Sequence, residues 1–243
     1  MRDNAPSRTA EFVCMARASE QRRAAEERVL DDPFARHFLG PLFRATLSTV
    51  EATGRLGDQL EYAALGLVPY VLCRHRFIDD ALAAFLADPA PAQVVLLGAG
   101  YDSRAWRFAE AMAGRPFFEV DHPATAGRKA GIVERLTLPQ VDRRVARTDF
   151  LSAPLSQVLA DAGFQEDTRT FFVWEGVSMY LTREAIKGTL RDVVALGGAG
   201  SQLAMDFWFL LDSPDLLATA HRMSSGLLSF LGEPFTFGIH PED

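Results

Sequence analysis

The segment from Ala92 to Asp121 limits what this chain can fold into more than any other part of the sequence. It contains an apolar run, Val94-Val95-Leu96-Leu97, then Gly98-Ala99-Gly100, and then a second apolar run that Asp121 closes. This order predicts a strand, a glycine turn, a helix and a second strand. Glycines allow a ligand to lie against the backbone where a helix begins, and a carboxylate roughly 20 residues later accepts hydrogen bonds from ribose hydroxyls. Gly98, Ala99, Gly100 and Asp121 therefore form a candidate nucleoside site.

The residues that follow the glycine turn indicate which nucleoside ligand the site holds. A dinucleotide site has a third glycine three positions after the second, but this chain has Ser103 there. Asp102 places a carboxylate beside the turn, which repels a pyrophosphate and suits a ligand with an ammonium or sulfonium group. The turn therefore favours S-adenosylmethionine (SAM) over NAD, and an NAD-dependent oxidoreductase is the alternative.

The overall composition narrows the class of protein. The chain has 243 residues, enough for one large domain with a sizeable core, and a net charge of −7. This acidic balance argues against non-specific nucleic-acid binding, which depends on phosphate neutralisation. The sequence shows neither a signal-peptide pattern nor an apolar run near the ~18 residues of a membrane span, so we expect a soluble cytoplasmic protein without a membrane partner. Cys14 and Cys73 lack metal-site spacing, so we expect two free thiols and no metal.

Helical patterns dominate the N-terminal part of the chain. Apolar periodicity predicts helices from about Thr9, over 34–50 and over 58–87. A proline-rich stretch then separates this part from a region in which strands and helices alternate. We therefore predict a helical N-terminal part over residues 1–90 and a SAM-binding domain over residues 91–243, joined in one structural unit.

Two arginines lie on helix faces that point inward. Arg17 continues the face of Cys14, and Arg74 shares its stripe with Ile78, whereas Arg76 points elsewhere. A charge on a core-facing stripe needs a partner. Each arginine therefore either forms a structural ion pair or reaches an anionic ligand in a polar cavity, and the spacing alone leaves both possibilities open.

The remainder of the chain alternates strands and helices. Apolar runs predict strands at 93–97, 117–120, 143–147, 170–174 and 202–207, and helices at 104–113, 124–136, 154–162 and 183–196. Strands separated by helices predict an α/β fold with right-handed crossovers and a doubly wound, mostly parallel sheet. Ligands bind at the carboxyl ends of such strands, where Asp121, Asp149 and Glu175 are found. Asp149 and Phe150 are candidates for the edge and the face of an adenine.

Several segments resemble one known family in their order along the chain. They are RHRFIDD, LLGAGYDSR, FFEVDHP, ARTDF and WEGVSMYL. These segments resemble the leucine carboxyl methyltransferase family, and more closely its bacterial branch of SAM-dependent methyltransferases from actinobacteria and polyketide pathways. The resemblance runs from about Thr9 to the end of the chain. It implies the class I methyltransferase (Rossmann-like) fold with a helical N-terminal lid.

The resemblance also implies a set of contacts to SAM. It assigns the SAM carboxylate to Arg74, the methionine part to Gly98, the ribose to Asp121, the adenine to Asp149 and Phe150, and the methionyl end to Glu175. Arg17 matches the family's basic residue in the first helix.

The C-terminal end departs from the family pattern. Family members continue past the segment that matches GEPFTFGIHPED with a helix and an antiparallel strand pair. We therefore expect the C-terminal strand pair to be missing, which would leave the fifth strand, near Leu203 to Phe207, as an exposed apolar edge.

Together these features predict SAM-dependent O-methyl transfer to the carboxylate of a small molecule, such as a polyketide or another secondary metabolite. A carboxylate is ionised at neutral pH, so the reaction needs no general base. His75 and His122, which adjoin the site, are interpreted as structural, whereas Tyr180 either lines the acceptor pocket or belongs to the core. A SAM-binding protein without catalysis is the non-enzyme alternative, and the oligomeric state stays open.

Overall fold

The computed structural model describes residues 6–54, 66–148, 153–208 and 236–240. The predicted adenine contacts Asp149 and Phe150 lie outside the described residues, as does the start of the helix predicted over 58–87. Within the described ranges no helix is both long and apolar enough to cross a bilayer. Both cysteines, the buried Cys14 and the exposed Cys73, are free thiols as predicted.

Five parallel strands form one sheet in the described part of the chain. They are β1 (Gln93–Leu97), β2 (Phe117–Asp121), β3 (Arg143–Arg147), β4 (Thr170–Trp174) and β5 (Gln202–Met205). Their order across the sheet is β3-β2-β1-β4-β5, and every neighbouring pair is parallel. The chain order reverses between β1 and β4, so a crevice opens outside the carboxyl ends of these strands. The predicted doubly wound α/β fold is confirmed.

Helices cover both faces of this sheet. They are α1 (Arg8–Ser19), α2 (Pro41–Thr53), α3 (Leu67–Leu86), α4 (Arg104–Arg107), α5 (Ala109–Met112), α6 (Pro123–Val133), α7 (Leu155–Asp161) and α8 (Arg183–Leu196). Short 3-10 turns lie at Glu20–Arg22, Ala25–Glu27, Ala35–Phe38 and Ser178–Tyr180. Ser7 and Thr182 cap α1 and α8 because each side chain accepts a hydrogen bond from a backbone amide of the first turn.

The alternation of side chains along the strands divides the core into two layers. β1, β2 and β4 are buried at every position, which explains their continuous apolar runs. Val94 and Leu96 of β1 pack with side chains of the N-terminal helices on one face. Val95 and Leu97 pack with α7 and α8 on the other face. The N-terminal helices therefore belong to the same packed body as the sheet.

Two predicted helices differ from the observed ones. The helix predicted over 34–50 begins only at Pro41, because the residue before a proline disfavours helical geometry, and a 3-10 turn takes the preceding residues. The helix predicted over 104–113 is divided at Phe108, whose φ of −102° and ψ of 15° depart from helical values.

β5 lies at one edge of the described sheet and is only partly buried. The strand predicted over 202–207 ends at Met205, because the carboxylate of Asp206 bonds to Arg74 and to the Gly176 amide, groups outside the strand. The absence of a further strand pair stays a prediction.

Candidate functional site

A cavity of about 230 Å³ lies at the carboxyl ends of β1, β2 and β4, with α1 along one side. Seven of the nine predicted site residues line this cavity: Arg17, Arg74, Gly98, Ala99, Gly100, Asp121 and Glu175. The volume far exceeds the ~30 Å³ share of a water molecule, so the cavity can hold a small molecule. This cavity lies where the sequence predicts the site, outside the carboxyl ends of the strands, and the binding of a ligand there stays a prediction.

The glycine turn after β1 permits two close approaches to the cavity floor. Gly98 has a φ of +73°, and a Cβ at this position would overlap the side chain of Val177. Gly100 has a φ of +49°, and a Cβ there would lie 3.2 Å from the Cβ of Ala10 on α1. Glycine adopts these left-handed conformations without strain. The turn therefore lets both α1 and the loop after β4 pack directly against it.

Asp121 ends β2 with its carboxylate beside the glycine turn. Its Oδ2 accepts a hydrogen bond from the Gly100 amide at 2.5 Å, and its Oδ1 accepts one from the His122 amide at 2.6 Å. Its hydrogen-bond partners in the described structure are thus backbone amides rather than cationic side chains. Burial, only partly offset by these two bonds, raises the pKa of Asp121 to about 6. The carboxylate keeps lone pairs for further hydroxyl donors, which a ribose would supply.

Glu175, which follows β4, is surrounded by three donor side chains. Its Oε1 accepts a hydrogen bond from Nε of Arg74 at 2.9 Å. Its Oε2 lies 2.8 Å from Nη1 of Arg104 and 3.0 Å from Nδ1 of His75. Burial opposes ionisation, but His75, Arg104 and Arg74 outweigh it and hold the pKa of Glu175 well below its usual range. Glu175 is therefore a fixed anion at one end of the cavity.

Asp102 also lines the cavity, but its charge is already balanced. Its Oδ2 lies 2.6 Å from Nη1 of Arg104, and its Oδ1 accepts a hydrogen bond from the Arg104 amide at 2.6 Å. Although burial opposes it, the charge of Arg104 lowers the pKa of Asp102 below its ordinary value. The structure therefore pairs Asp102 with an arginine instead of leaving its charge free for a cationic ligand.

Arg74 on α3 combines the two roles that its sequence position left open. Its Nε donates to Glu175 at 2.9 Å and its Nη1 donates to Asp206 at 2.7 Å, so it forms structural ion pairs. It also lines the cavity. Arg76 points away as predicted, with an exposed side chain paired to Asp80.

Arg17 connects α1 to the glycine turn. Its Nε donates to Oδ2 of Asp32 at 2.9 Å, and its Nη2 donates to the carbonyl of Tyr101 at 2.6 Å. The side chain is almost fully buried and lines the cavity. Arg17 therefore forms a structural ion pair and also reaches the cavity, and its contact with an anionic ligand stays a prediction.

The sequence-based analysis missed several charged residues behind the cavity: Asp32, Asp79, Arg104, Arg107 and Asp206. Arg104 is fully buried and binds Asp79, Asp102 and Glu175. Local sequence patterns do not predict these ion pairs, because the paired residues lie on different elements. Asp206 did carry a signal, since it directly follows a strand in the way that Glu175 follows β4. The predicted strand over 202–207 concealed it by including it.

The two histidines beside the cavity are held in structural roles. Nε2 of His75 accepts a hydrogen bond from Nη2 of Arg107 at 2.9 Å, so in the neutral ring Nδ1 carries the proton and donates to Glu175. Burial, followed by the charge of Arg104, lowers the pKa of His75. Nδ1 of His122 accepts from the Ala124 amide at 3.3 Å at the start of α6.

The chain matches the family model described as leucine carboxyl methyltransferase over residues 10–194. Two relatives carry the name "Putative S-adenosyl-L-methionine-dependent methyltransferase". The relative from Parafrankia is 36% identical over 201 residues, which cover 82% of this chain and 62% of the relative. The relative from Saccharopolyspora erythraea is 34% identical over 200 residues, which cover 82% of this chain and 66% of the relative. The matched region thus spans slightly less than two thirds of each relative.

Solved structures support the fold assignment. A DUF574 family protein from Streptomyces avermitilis superposes with a TM-score of 0.57 at 16% identity, covering 93% of this chain and 79% of that chain. A protein from Thermobifida fusca described as a "putative methyltransferase" superposes with a TM-score of 0.55 at 14% identity, covering 86% and 76%. At these identities the likeness concerns the fold, which is the class I methyltransferase fold. With its motifs in family order and three quarters of its length inside the family model, the chain belongs to the leucine carboxyl methyltransferase family.

Proposed function

We propose that the chain binds SAM in the cavity after β1 and transfers its methyl group to a carboxylate oxygen of a small molecule. The observation that carries this proposal is the convergence of the glycine turn, Asp121, Glu175, Arg17 and Arg74 on one cavity. Membership of the family and the names of the relatives point to the same cofactor.

The residues present fit this cofactor. Among the described residues, the Asp121 carboxylate accepts hydrogen bonds from two backbone amides. It has capacity to accept further hydrogen bonds from the two hydroxyls of a ribose. Gly98 and Gly100 provide a surface without side chains on the cavity floor. Arg74 and Arg17 offer guanidinium groups to the cofactor carboxylate, and Glu175 would face the methionyl end of the cofactor. SAM supplies an electrophilic methyl group on a sulfonium, and the chain's own task is to orient the two reactants and exclude water.

We propose a carboxylate acceptor because the described cavity residues offer no available base apart from Asp121, which is assigned to the ribose. In the neutral rings of His75 and His122 one nitrogen already accepts a hydrogen bond and the other carries a proton. Glu175 is held as a weak base by its cationic neighbours. A phenol, with a pKa near ~10, would need a base, whereas a carboxylate is ionised at neutral pH. We propose that Tyr180, which lines the cavity, contacts the acceptor.

We also propose that the two parts of the chain have different roles. Residues 1–90 would act as a lid, because α1 lines the cavity through Ala10, Val13 and Arg17. Residues 91–243 would hold the cofactor, because the glycine turn and the acids at the strand ends belong to this part.

The pH dependence of nucleoside binding tests the assignment of Asp121. We expect 5′-methylthioadenosine, which keeps the adenosine and thioether of SAM, to bind more weakly below pH 6, by up to about tenfold per pH unit, because the protonated carboxyl loses acceptor capacity. Asp121→Ala should lower the affinity at pH 7.5 by about 1.5–3 kcal/mol and remove the pH dependence. Calorimetric titration of both proteins, with the exposed Asp80→Ala as control, checks this. Unchanged binding in Asp121→Ala, or tighter binding of NAD than of SAM, would reject the site.

The stability of the methylated product in base tests the acceptor class. We expect label from methyl-labelled SAM to enter candidate carboxylic acids and to be released as methanol in mild base, because esters hydrolyse and aryl ethers do not. The same assay is run with matched phenols. Label that survives base would reject the carboxylate in favour of a hydroxyl acceptor. Tight SAM binding without transfer to any acceptor would support a binding protein without catalysis.

A further inference from the structure

Asp206 stands directly after β5, beside the cavity but not among the residues that line it. β5 pairs with β4 so that Met205 lies opposite Trp174, and this register brings Asp206 next to the loop that begins with Glu175. The Asp206 side chain is 11% exposed. An acid buried to this extent requires partners, and its partners show what it organises.

All three oxygen atoms of Asp206 accept hydrogen bonds from elements that line the cavity. Oδ2 accepts a hydrogen bond from Nη1 of Arg74 at 2.7 Å, and Oδ1 accepts one from the Gly176 amide at 2.7 Å. The Asp206 carbonyl accepts from Oγ of Ser178 at 2.7 Å. One residue thus holds a guanidinium on α3 and two positions of the loop after β4.

The orientation of Arg74 depends on two acids acting together. Glu175 binds Nε and Asp206 binds Nη1, which fixes two of the three guanidinium nitrogens. The third, Nη2, would lie only 3.2 Å from a Cβ added at Gly176, a residue with a φ of +69°. The guanidinium group of Arg74 therefore packs closely against the Gly176 backbone, and Asp206 forms hydrogen bonds with both.

We propose that Asp206 is a positioning residue for the methionyl end of the cofactor. This inference rests on the proposed function and adds a residue to it. Asp206 acts through Arg74 and the Gly176 amide, and it keeps the guanidinium turned so that a ligand's carboxylate meets it in the geometry of a charge-assisted hydrogen bond. Removing its charge would weaken one of the two carboxylate contacts that orient Arg74 and leave the guanidinium with Glu175 and the Tyr70 ring as its partners.

Two ligands that differ only at the methionyl end separate this role from a general structural one. S-adenosylhomocysteine has the amino and carboxylate groups, whereas 5′-methylthioadenosine ends in a methylthio group and lacks both. Asp206→Asn keeps the side-chain volume and one acceptor but loses the charge and one of the two carboxylate bonds. Asp80→Asn is the matched control, because Asp80 also pairs with an arginine of α3, Arg76, at 2.7 Å, with both side chains more than half exposed.

The experiment is calorimetric titration of the full chain and of both variants with each ligand at pH 7.5. We expect Asp206→Asn to weaken S-adenosylhomocysteine binding by about tenfold or more, while 5′-methylthioadenosine binding changes by less than about twofold, and Asp80→Asn to change neither. A parallel loss of both ligands would show that Asp206 serves only the fold and would overturn the inference. Unchanged or tighter S-adenosylhomocysteine binding would overturn it as well. Failure of the unmodified chain to bind either ligand would instead reject the proposed function.

Discussion

Replacing Arg104 with alanine is expected to lower the free energy of unfolding by about 3–5 kcal/mol, because it leaves the buried Asp102 without its arginine and removes one of the cations around Asp79 and Glu175. Arg104 has no exposed surface. Its Nε lies 2.6 Å from Asp79, and its Nη1 lies 2.6 Å from Asp102 and 2.8 Å from Glu175. Against the opposing effect of burial, Arg104 followed by His75 lowers the pKa values of Asp79 and Asp102, and His75 followed by Arg104 lowers that of Glu175, so the loss of this arginine affects all three acids.

Urea unfolding followed by circular dichroism measures this effect. Arg76→Ala is the control, because the Arg76–Asp80 pair is exposed and should contribute less than about 1 kcal/mol. Arg104→Lys should fall between the two, since an ammonium group keeps the charge but cannot bind three acids in the same plane. A loss below about 1 kcal/mol for Arg104→Ala would mean that the acids are protonated or hydrated in the folded chain, contrary to this description.

Replacing Arg74 with alanine is expected to weaken S-adenosylhomocysteine binding by about 10- to 100-fold, whereas Arg76→Ala should leave it within about twofold. Of Arg74 and Arg76, only Arg74 lines the cavity. A charge-assisted hydrogen bond to a ligand carboxylate is worth ~1.5–3 kcal/mol. Arg74→Lys should also bind poorly, because Glu175 and Asp206 bind separate nitrogens of a planar fork that an ammonium group lacks.

The two alanine variants are compared by titration, with 5′-methylthioadenosine as the check that each site is folded. Arg74→Ala should retain binding of this shorter ligand. Equal S-adenosylhomocysteine affinity in Arg74→Ala and Arg76→Ala would mean that Arg74 has only its structural role. Arg76→Ala is a suitable control, because Arg74 and Arg76 both belong to α3 and both pair with acids.

The features that could be predicted from the sequence are those determined by local patterns. Continuous apolar runs located β1 and β4 at their observed bounds, since a strand buried on both faces needs apolar residues at nearly every position. The edge strand β3, with the sequence RRVAR, was located by the alternation of strands and helices along the chain. The glycine turn and Asp121 were found because a left-handed turn requires glycine and a strand end that meets a ligand requires a polar group.

The charged network behind the cavity could not be predicted, because its contacts join distant segments. Arg74 and Asp206 are 132 positions apart, and Arg74 and Glu175 are 101 apart. Whether a buried arginine pairs with an acid or stays available for a ligand depends on which strands are neighbours in the sheet. Helix periodicity gives no information on the order of the strands. The balanced charge of Asp102 was missed for another reason: its partner Arg104 lies only two positions away, but the sequence does not show that the Arg104 side chain is buried.

The buried carboxylate of Asp121 also links the stability of the folded chain to pH and, under the proposed function, to ligand binding. Its pKa rises from 3.8 in the unfolded chain to about 6 in the folded one, so the folded chain holds the proton more tightly. Stability is therefore greatest at low pH as far as this group is concerned, and it is lost as the pH rises from about 4 to 6, by up to ~3 kcal/mol. At neutral pH the empty protein carries that full penalty, and a ligand whose hydroxyls bind the carboxylate relieves it. By mass action, binding of the ligand proposed above would then favour the folded chain.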